Sequence, residues 1–174
     1  ILSLQPDARV LDLCCGQGRH TLELASRGFM NVEGFDRSHY LIQKARATAR
    51  SSNLRAKFRE GDARKLPYNP DSFDTVLMLG NSFGYFETVH DDARVLREIF
   101  RVLRPSGRLL IDVADGEWLR ANFEPRSWEW LDKKHFVCRE RTLSADGQRM
   151  ISREVVTHAE KGVIADQFYA ERLY

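Results

Sequence analysis

Three aspartates and two glycines between residues 12 and 62 are spaced as groups that could hold a small charged molecule. Asp12 is followed by Cys-Cys-Gly-Gln-Gly, which places Gly16 and Gly18 in a tight glycine-containing segment. Glycine has no Cβ atom, so the backbone there can turn sharply and approach a ligand closely. Asp36 and Asp62 come later in the chain. Their carboxylates could accept hydrogen bonds from the hydroxyl and amino groups of a nucleoside.

Each of these groups lies at the end of a predicted strand. Apolar runs predict strands at 10–13, 31–35, 56–59, 73–79 and 108–113. Helical patterns lie between them at 19–27, 40–51 and 90–103, and Ser38 is placed to cap the second helix. The alternation predicts an α/β fold with a doubly wound, mostly parallel, Rossmann-like sheet. Such sheets bind ligands at the carboxyl ends of their strands.

The apolar spacing also predicts which helix faces are buried. The predicted inner faces are Leu41, Ala45, Thr48 and Ala49 in the second helix and Ala93, Leu96, Ile99, Phe100 and Leu103 in the third. Pro105-Ser106-Gly107 is predicted to end the third helix and to form a turn before the fifth strand.

The pattern changes after Asp115. The segment with Trp118, Phe123, Trp128 and Trp130 is predicted to be a short helix or irregular. Strands at 136–144 and 149–158 flank the hairpin signal Asp146-Gly147, and 163–174 predicts a third antiparallel strand. We therefore predict an α/β core at 1–115 and an antiparallel hairpin extension, or lid, at 116–174. The chain looks cut from something longer at both ends.

Composition excludes several classes of protein. The chain has 174 residues, 43% of them hydrophobic and 30% charged, which is typical of a globular protein. The net charge of +2 argues against a surface that tracks nucleic-acid phosphates. No apolar run approaches the ~20 residues that span a bilayer. Cys14, Cys15 and Cys138 lack metal-ligand spacing, so we predict reduced thiols, no metal site and a cytoplasmic protein.

Five motifs in order resemble those of the class I S-adenosylmethionine-dependent methyltransferases. They are 10–18 (VLDLCCGQG), 32–36 (VEGFD), 61–63 (GDA), 73–76 (FDTV) and 96–110 (LREIFRVLRPSGRLL). One such motif would be weak, whereas five in the family's order and spacing are specific. The resemblance covers about residues 10–113 and implies S-adenosylmethionine as the cofactor.

The resemblance also implies which residues bind this cofactor. Gly16 and Gly18 would approach its methionine part. Asp12 would contact the amino end directly or through water, and bonding of loop amides alone is an equal alternative. Asp36 would bind the ribose hydroxyls. The side chain of Asp62 and the backbone of Ala63 would bind the adenine.

Four further residues complete the predicted cofactor site. Leu79 and Asn81 would line the side that faces the sulfonium. Arg37 directly follows Asp36, the residue expected to bind the ribose, and is also predicted to contact the cofactor. Arg19 stands where the family often has a third glycine or small residue. It could hold the cofactor carboxylate or lie on the surface.

Methyl transfer chiefly requires that the acceptor be positioned in line with the S–CH₃ bond. The predicted acceptor wall is 81–86, with help from the Trp128–Trp130 region and the hairpin. Tyr85 and His20 are the predicted catalytic residues, for acceptor contact or proton removal. As alternatives, Tyr85 could be a packing aromatic and His20 an exposed helix-end residue.

The sequence therefore predicts methyl transfer from S-adenosylmethionine to a small molecule. An NAD(P)-dependent oxidoreductase is one alternative, although Thr21 replaces the third glycine of the dinucleotide fingerprint. A non-catalytic S-adenosylmethionine-binding module is the other. We rank nucleic acid well below a small molecule as the acceptor. A homodimer could form by pairing of an edge hairpin.

Overall fold

The computed structural model describes residues 4–174. Within this range it has nine strands and four helices, in the order β1 (Arg9–Leu13), α1 (Arg19–Ser26), β2 (Asn31–Asp36), α2 (His39–Ser51), β3 (Lys57–Glu60), β4 (Phe73–Met78), α3 (Val89–Val102), β5 (Leu103–Ile111), α4 (Gly116–Asn122), β6 (Arg126–Trp130), β7 (His135–Leu143), β8 (Arg149–His158) and β9 (Gly162–Arg172). No helix in the described part of the chain is both long and apolar enough to cross a bilayer.

The chain divides into two compact units. The first comprises the described residues up to Ser82 together with Thr88–Val113. The second comprises Phe83–Glu87 and Ala114–Tyr174. The predicted division between residues 115 and 116 stays a prediction.

The first unit contains a five-stranded sheet in the order β3-β2-β1-β4-β5, and every neighbouring pair is parallel. This confirms the predicted doubly wound α/β fold. The central strand β1 contributes Val10, Leu11 and Leu13, none of which is exposed. A strand with both faces buried needs such a continuous apolar sequence. The strand order runs in one direction from β1 to β3 and in the other from β4 to β5. Doubly wound sheets bind ligands at the point where the order reverses, which here lies between β1 and β4.

Helix α2 begins as predicted, but its buried face is partly different. The Ser38 side chain caps the helix by accepting a hydrogen bond from Leu41 N at 3.3 Å. The predicted Thr48 is exposed, and Ile42 is buried instead, in line with Ala45 and Ala49. The helix has apolar residues at both 41 and 42, and packing against the sheet selects the second.

The predicted buried face of α3 is largely wrong. Phe100 is 83% exposed and Leu96 is 42% exposed. The buried residues are Asp92, Val95, Ile99 and Val102, and only Ile99 belongs to the predicted set. This helix carries apolar side chains on two sides, so spacing alone could not show which side meets the sheet.

The predicted break at Pro105-Ser106-Gly107 lies inside strand β5. Phe73 pairs with Leu103 and Thr75 with Arg108, so the pairing of β4 with β5 skips the intervening residues. Ser106 has φ of 66°, which fits a local bulge. The turn residues thus project from the strand, and β5 starts directly after α3.

The second unit contains an antiparallel sheet in the order β6-β7-β8-β9. The predicted hairpin is confirmed as β7 and β8, with Gly147 at φ of 65° in its turn. The prediction of three strands is wrong by one, because Trp128 and Trp130 lie in β6. The hairpin consequently occupies the centre of this sheet, and β6 and β9 are its edges.

The two faces of the antiparallel sheet differ in exposure. Trp128 and Phe168 are 68% and 72% exposed on one face. The register places Met150 opposite Glu171 and Ser152 opposite Tyr169 on the other face. Met150, Glu171 and Ser152 are buried. The second face is therefore the buried face of the sheet, and it contains the polar side chains of Glu171 and Ser152.

Candidate functional site

The predicted sequence of strand, glycine turn and helix is present as β1, a turn that contains Gly16 and Gly18, and α1. Gly16 and Gly18 both have positive φ, at 55° and 80°. Cys15 N donates to Phe35 O at 3.1 Å, and Gly18 N donates to Cys15 O at 2.9 Å. The turn is therefore tied to the end of β2 by backbone hydrogen bonds. The first N–H groups of α1 have no acceptor within the helix, which favours an anionic ligand group there.

The two glycines serve different purposes. A Cβ atom on Gly18 would lie 2.6 Å from the Phe58 ring and 3.2 Å from Ala45 Cβ. Gly18 therefore allows α1, α2 and β3 to pack closely. A Cβ atom on Gly16 would meet nothing nearer than Leu41 Cδ1 at 3.9 Å. The backbone of Gly16 is thus the part of the turn with room for a ligand beside it.

Asp36 lies at the end of β2 and holds two loops together. Its Oδ2 accepts a hydrogen bond from Gly16 N, and its Oδ1 accepts one from Ser38 N, each at 2.8 Å. Its backbone oxygen accepts from Gly61 N at 3.0 Å. Asp36 is 9% exposed. Each carboxylate oxygen has a second lone pair, so the side chain can accept ligand hydroxyls as well.

Asp12 is almost completely buried, with 1% of its surface exposed. Its Oδ2 accepts from Thr21 N at 3.0 Å and from Thr21 Oγ1 at 2.6 Å. Burial raises the pKa of this carboxyl above its usual value, against the opposing effect of the Thr21 hydroxyl. Asp12 therefore fixes the start of α1. Its contact with a cofactor stays a prediction.

Asp62 lies beside Asp36 at the same edge of the sheet, just beyond β3. Its carboxylate accepts from Arg64 N at 2.8 Å and from Arg64 Nη2 at 2.6 Å, and these bonds lower its pKa. Arg64 also pairs with Asp91 at 3.1 Å. The neighbouring Ala63 is buried. Asp62 is thus oriented by the guanidinium of Arg64.

The end of β4 carries the other predicted cofactor residues of the first unit. Leu79 is half-buried and packs against the cluster of Val10, Val32 and Leu77. Asn81 has φ of 52° and is half-buried. The preceding Gly80 donates its N–H to Asp112 Oδ2 at 3.1 Å. The sequence prediction missed Asp112, although a carboxylate at the end of the fifth strand fits the pattern of the others.

The predicted charged residues around the turn are mostly on the surface. Arg19 and Arg37 are exposed, and His20 is half-buried at the start of α1. Desolvation and the nearby carboxylates raise the pKa of the Cys14 and Cys15 thiols, which are therefore neutral near pH 7. Among residues 4–174, no three His, Cys, Asp or Glu side chains form a group that could hold a metal ion.

Tyr85, the other predicted catalytic residue, belongs to the second unit. Its hydroxyl donates to Glu171 Oε2 at 3.0 Å, and its ring lies 6.2 Å from that of Tyr169. Tyr85 is 43% exposed, whereas Glu171 is 6% exposed. The sequence prediction missed Glu171, because nothing in the local pattern distinguishes it from the alternating charges of a surface strand.

The first unit thus has a set of groups that suits a nucleoside carrying positive charge. Asp36, Asp62 and the turn at Gly16 meet at the carboxyl ends of neighbouring parallel strands. Carboxylates at this edge attract a cationic ligand, and Gly16 leaves space beside its backbone. The residues present therefore fit a cofactor with ribose hydroxyls and a sulfonium.

Sequence comparison gives a family match over nearly the whole chain. The sequence model of the methyltransferase domain family matches residues 4–171. The demethylmenaquinone methyltransferase of Lactobacillus johnsonii is 40% identical over 103 residues, which is 57% of this chain and 41% of that protein. The chain spans less than half the length of this and other curated relatives that it matches.

Solved structures resemble the fold over almost its full length. An S-adenosylmethionine-dependent methyltransferase from Clostridium acetobutylicum matches 99% of this chain and 69% of its own, with a TM-score of 0.84 and 20% identity. CalS10, an amino pentose methyltransferase from Micromonospora echinaspora solved with S-adenosylmethionine bound, matches 98% of this chain and 71% of its own. Its TM-score is 0.69 and its identity is 24%.

Proposed function

The chain belongs to the methyltransferase domain family, and we propose that it transfers a methyl group from S-adenosylmethionine to a small-molecule acceptor. The observation that carries this proposal is the meeting of Asp36, Asp62 and the Gly16 turn at one edge of the parallel sheet. Carboxylates brought there from different strands suit the adenosine part of such a cofactor.

The residues at this edge divide the proposed cofactor among them. Asp36 accepts the ribose hydroxyls with the lone pairs that Gly16 N and Ser38 N leave available. The Gly16 backbone contacts the methionine part. The N–H groups of residues 19 and 20 bind its carboxylate, because Thr21 N already donates to Asp12, and the exposed Arg19 adds positive charge there. Arg37 lies on the outer side of the ribose.

The remaining cofactor contacts belong to the strand ends on either side. Asp62 and the backbone of Ala63 bind the adenine, and Arg64 keeps the Asp62 carboxylate ionised. Leu79 and Asn81 lie towards the sulfonium. Asp12 supports the site by fixing α1 through Thr21. When bound, S-adenosylmethionine supplies a methyl group already activated on sulfur.

The chain's own contribution is to position the acceptor and to exclude water, which in favourable cases is worth about 7–11 kcal/mol. Tyr85 and His20 are the proposed acceptor-contacting residues. Two of the similar proteins are named for a quinone and for an amino pentose, and both are small molecules. We therefore propose a small organic molecule as the acceptor.

A transfer assay tests this function. The chain is incubated with S-adenosylmethionine carrying an isotopically labelled methyl group and with 1,4-naphthoquinol or 4-amino-4-deoxyarabinose. We expect label in one of these acceptors and one S-adenosylhomocysteine for each methyl group transferred. Binding of S-adenosylhomocysteine without transfer to either acceptor would instead favour a non-catalytic binding module.

Three expectations from the sequence remain predictions. They are a cytoplasmic location, a homodimer, and the division of the chain near residue 115. The edges of the antiparallel sheet are β6 and β9, so a homodimer would pair through one of these strands rather than through the central hairpin. Sedimentation of the purified chain over a range of concentrations tests the dimer.

A further inference from the structure

The carboxyl ends of β4 and β5 lie side by side in the first unit. Met78 pairs with Ile111 at the ends of the two strands, and Asp112 N donates to Met78 O at 3.0 Å. The Asp112 side chain contacts the segment that follows β4, because its Oδ2 accepts a hydrogen bond from Gly80 N at 3.1 Å. Asp112 is therefore held beside the segment that is proposed to face the sulfonium.

The segment after β4 is a turn with open space beside it. Gly80 has φ of 73° and Asn81 has φ of 52°. The turn is closed by Ser82 Oγ, which donates to Leu79 O at 2.8 Å. A Cβ atom built on Gly80 would lie more than 4 Å from every heavy atom of the described residues beyond its chain neighbours. The turn thus leaves room for a small molecule beside Gly80.

Asp112 can accept further hydrogen bonds from such a molecule. Its side chain is exposed. A carboxylate has two oxygens with about four lone pairs, and Gly80 N uses one of them. Asp12, by contrast, is 1% exposed and accepts both hydrogen bonds of Thr21. Asp112 is therefore a strand-end carboxylate that a ligand in solution can reach.

The order of the strands places Asp112 on the acceptor side of the proposed cofactor site. The sheet runs β3-β2-β1-β4-β5. The proposed contacts to adenine, ribose and methionine follow β3, β2 and β1 in turn, and those to the sulfonium follow β4. The acceptor must lie in line with the S–CH₃ bond, on the side of the methyl group away from sulfur. The next strand end in that direction is β5, and Asp112 directly follows it.

We propose that Asp112 contacts the methyl acceptor and that the nucleophile of this acceptor is an amine. An amine nitrogen has a lone pair that can attack the methyl carbon and an N–H group that can donate to a carboxylate. Positive charge develops on the nitrogen as the new bond forms, so the carboxylate stabilises the transition state more than the ground state. The same carboxylate would repel an anionic oxygen nucleophile. This inference rests on the proposed methyl transfer and narrows its acceptor to amines.

The atoms and electrons of the step balance. The nitrogen lone pair forms the N–CH₃ bond while the electron pair of the S–CH₃ bond passes to sulfur. The products are S-adenosylhomocysteine and a methylated ammonium ion, which releases a proton to water after it leaves the site. Asp112 neither gains nor loses a proton in this step. Its role is to hold the nitrogen and to stabilise the charge that develops there.

The test compares Asp112→Asn and Asp7→Asn with the unmodified chain, with 4-amino-4-deoxyarabinose and 1,4-naphthoquinol as acceptors. Asparagine at position 112 keeps an oxygen for Gly80 N but has an NH₂ group in place of the second oxygen, so the turn keeps its hydrogen bond and the charge is lost. Asp7→Asn is the matched control, because it makes the same change at an exposed aspartate just before β1. We measure kcat and KM for each acceptor, affinity for S-adenosylhomocysteine, and thermal unfolding.

We expect the unmodified chain to methylate the amino sugar. Asp112→Asn should lower kcat/KM for this acceptor by about 10- to 100-fold, mainly through kcat, which is the range for one hydrogen bond to a charged group. Affinity for S-adenosylhomocysteine and the unfolding temperature should be unchanged in this variant. Asp7→Asn should match the unmodified chain in every measurement.

Three results would overturn the inference and leave the proposed methyl transfer intact. They are an unchanged kcat/KM for the amino sugar in Asp112→Asn, transfer by the unmodified chain to 1,4-naphthoquinol alone, and a loss of affinity for S-adenosylhomocysteine as large as the loss in kcat/KM. The last result would assign Asp112 to the cofactor instead of the acceptor. Transfer to neither acceptor would overturn the proposed function and this inference with it.

Discussion

At the scale of single residues, the carboxylates at the sheet edge have separate duties. Asp36 ties the Gly16 turn to the start of α2 and keeps lone pairs for a ligand. Asp12 accepts hydrogen bonds from the backbone N–H and the hydroxyl of Thr21. Asp62 is paired with Arg64. The sequence places all three at strand ends, but it cannot show which are already occupied by neighbouring groups.

Asp36→Ala should weaken binding of S-adenosylhomocysteine by about 10- to 100-fold, because hydrogen bonds to a charged group are worth about 1.5–3 kcal/mol. It should also lower stability without unfolding the chain. Asp74→Ala is the control: Asp74 accepts from Arg9 N at 2.8 Å and pairs with Arg104 near the start of β4. That variant should lose stability and keep its affinity, as titration calorimetry will measure. Equal affinity losses in both would remove Asp36 from the site.

Asp12→Asn should show how burial acts on an ionised group. The pKa of Asp12 is raised in the folded chain above 3.8, so its ionised form opposes folding as the pH rises above that value. Asparagine has no such charge. The unfolding free energy of the variant relative to the unmodified chain should therefore increase from pH 3 to pH 7, measured by chemical denaturation. A difference that stays constant with pH would contradict this.

At the scale of elements, the strand, glycine turn and helix are predictable because each leaves a local signal. The faces of α3 are not, since Leu96 and Phe100 are as apolar as Val95 and Val102 and only the sheet distinguishes them. Strand β6 was missed because its aromatic residues suggested irregular packing, although Ser-Trp-Glu-Trp alternates as a strand does. Glu171 was missed because its burial depends on a distant segment.

The two glycines of the turn should respond differently to alanine. Gly18→Ala should cost about 2–4 kcal/mol of stability, because its Cβ would collide with the Phe58 ring and its φ is positive. Gly16→Ala should cost only about 1–2 kcal/mol, from backbone strain alone. Adding Phe58→Leu to Gly18→Ala should restore part of the loss. Equal losses at both positions, measured by denaturant unfolding, would refute the assignment of Gly18 to packing.

The orientation of α3 can be tested by a pair of adjacent substitutions. Ile99 is 1% exposed, and Ile99→Ala should cost about 2–5 kcal/mol of stability. Phe100 is 83% exposed, and Phe100→Ser should change stability by no more than about 0.5 kcal/mol. Thermal unfolding of both variants measures the difference. A larger loss of stability in Phe100→Ser than in Ile99→Ala would instead support the buried face predicted from the sequence.

At the scale of the whole molecule, the parallel connections bring distant parts of the sequence to one edge. The glycine turn follows β1, Asp36 ends β2, and Asp62 follows β3, and these three strands are neighbours in the sheet. Within the antiparallel unit, Tyr85 and Glu171 form a separate hydrogen-bonded pair. Sequence motifs predict the first arrangement because they mark strand ends, whereas the second depends on pairing between segments about 86 residues apart.

The most direct measurement is calorimetric titration of the unmodified chain with S-adenosylhomocysteine and, separately, with NAD⁺ and NADP⁺. We predict saturable binding of S-adenosylhomocysteine with one site per chain, a matching rise in unfolding temperature, and no effect of either dinucleotide. Stabilisation by a nicotinamide dinucleotide without binding of S-adenosylhomocysteine would contradict this prediction.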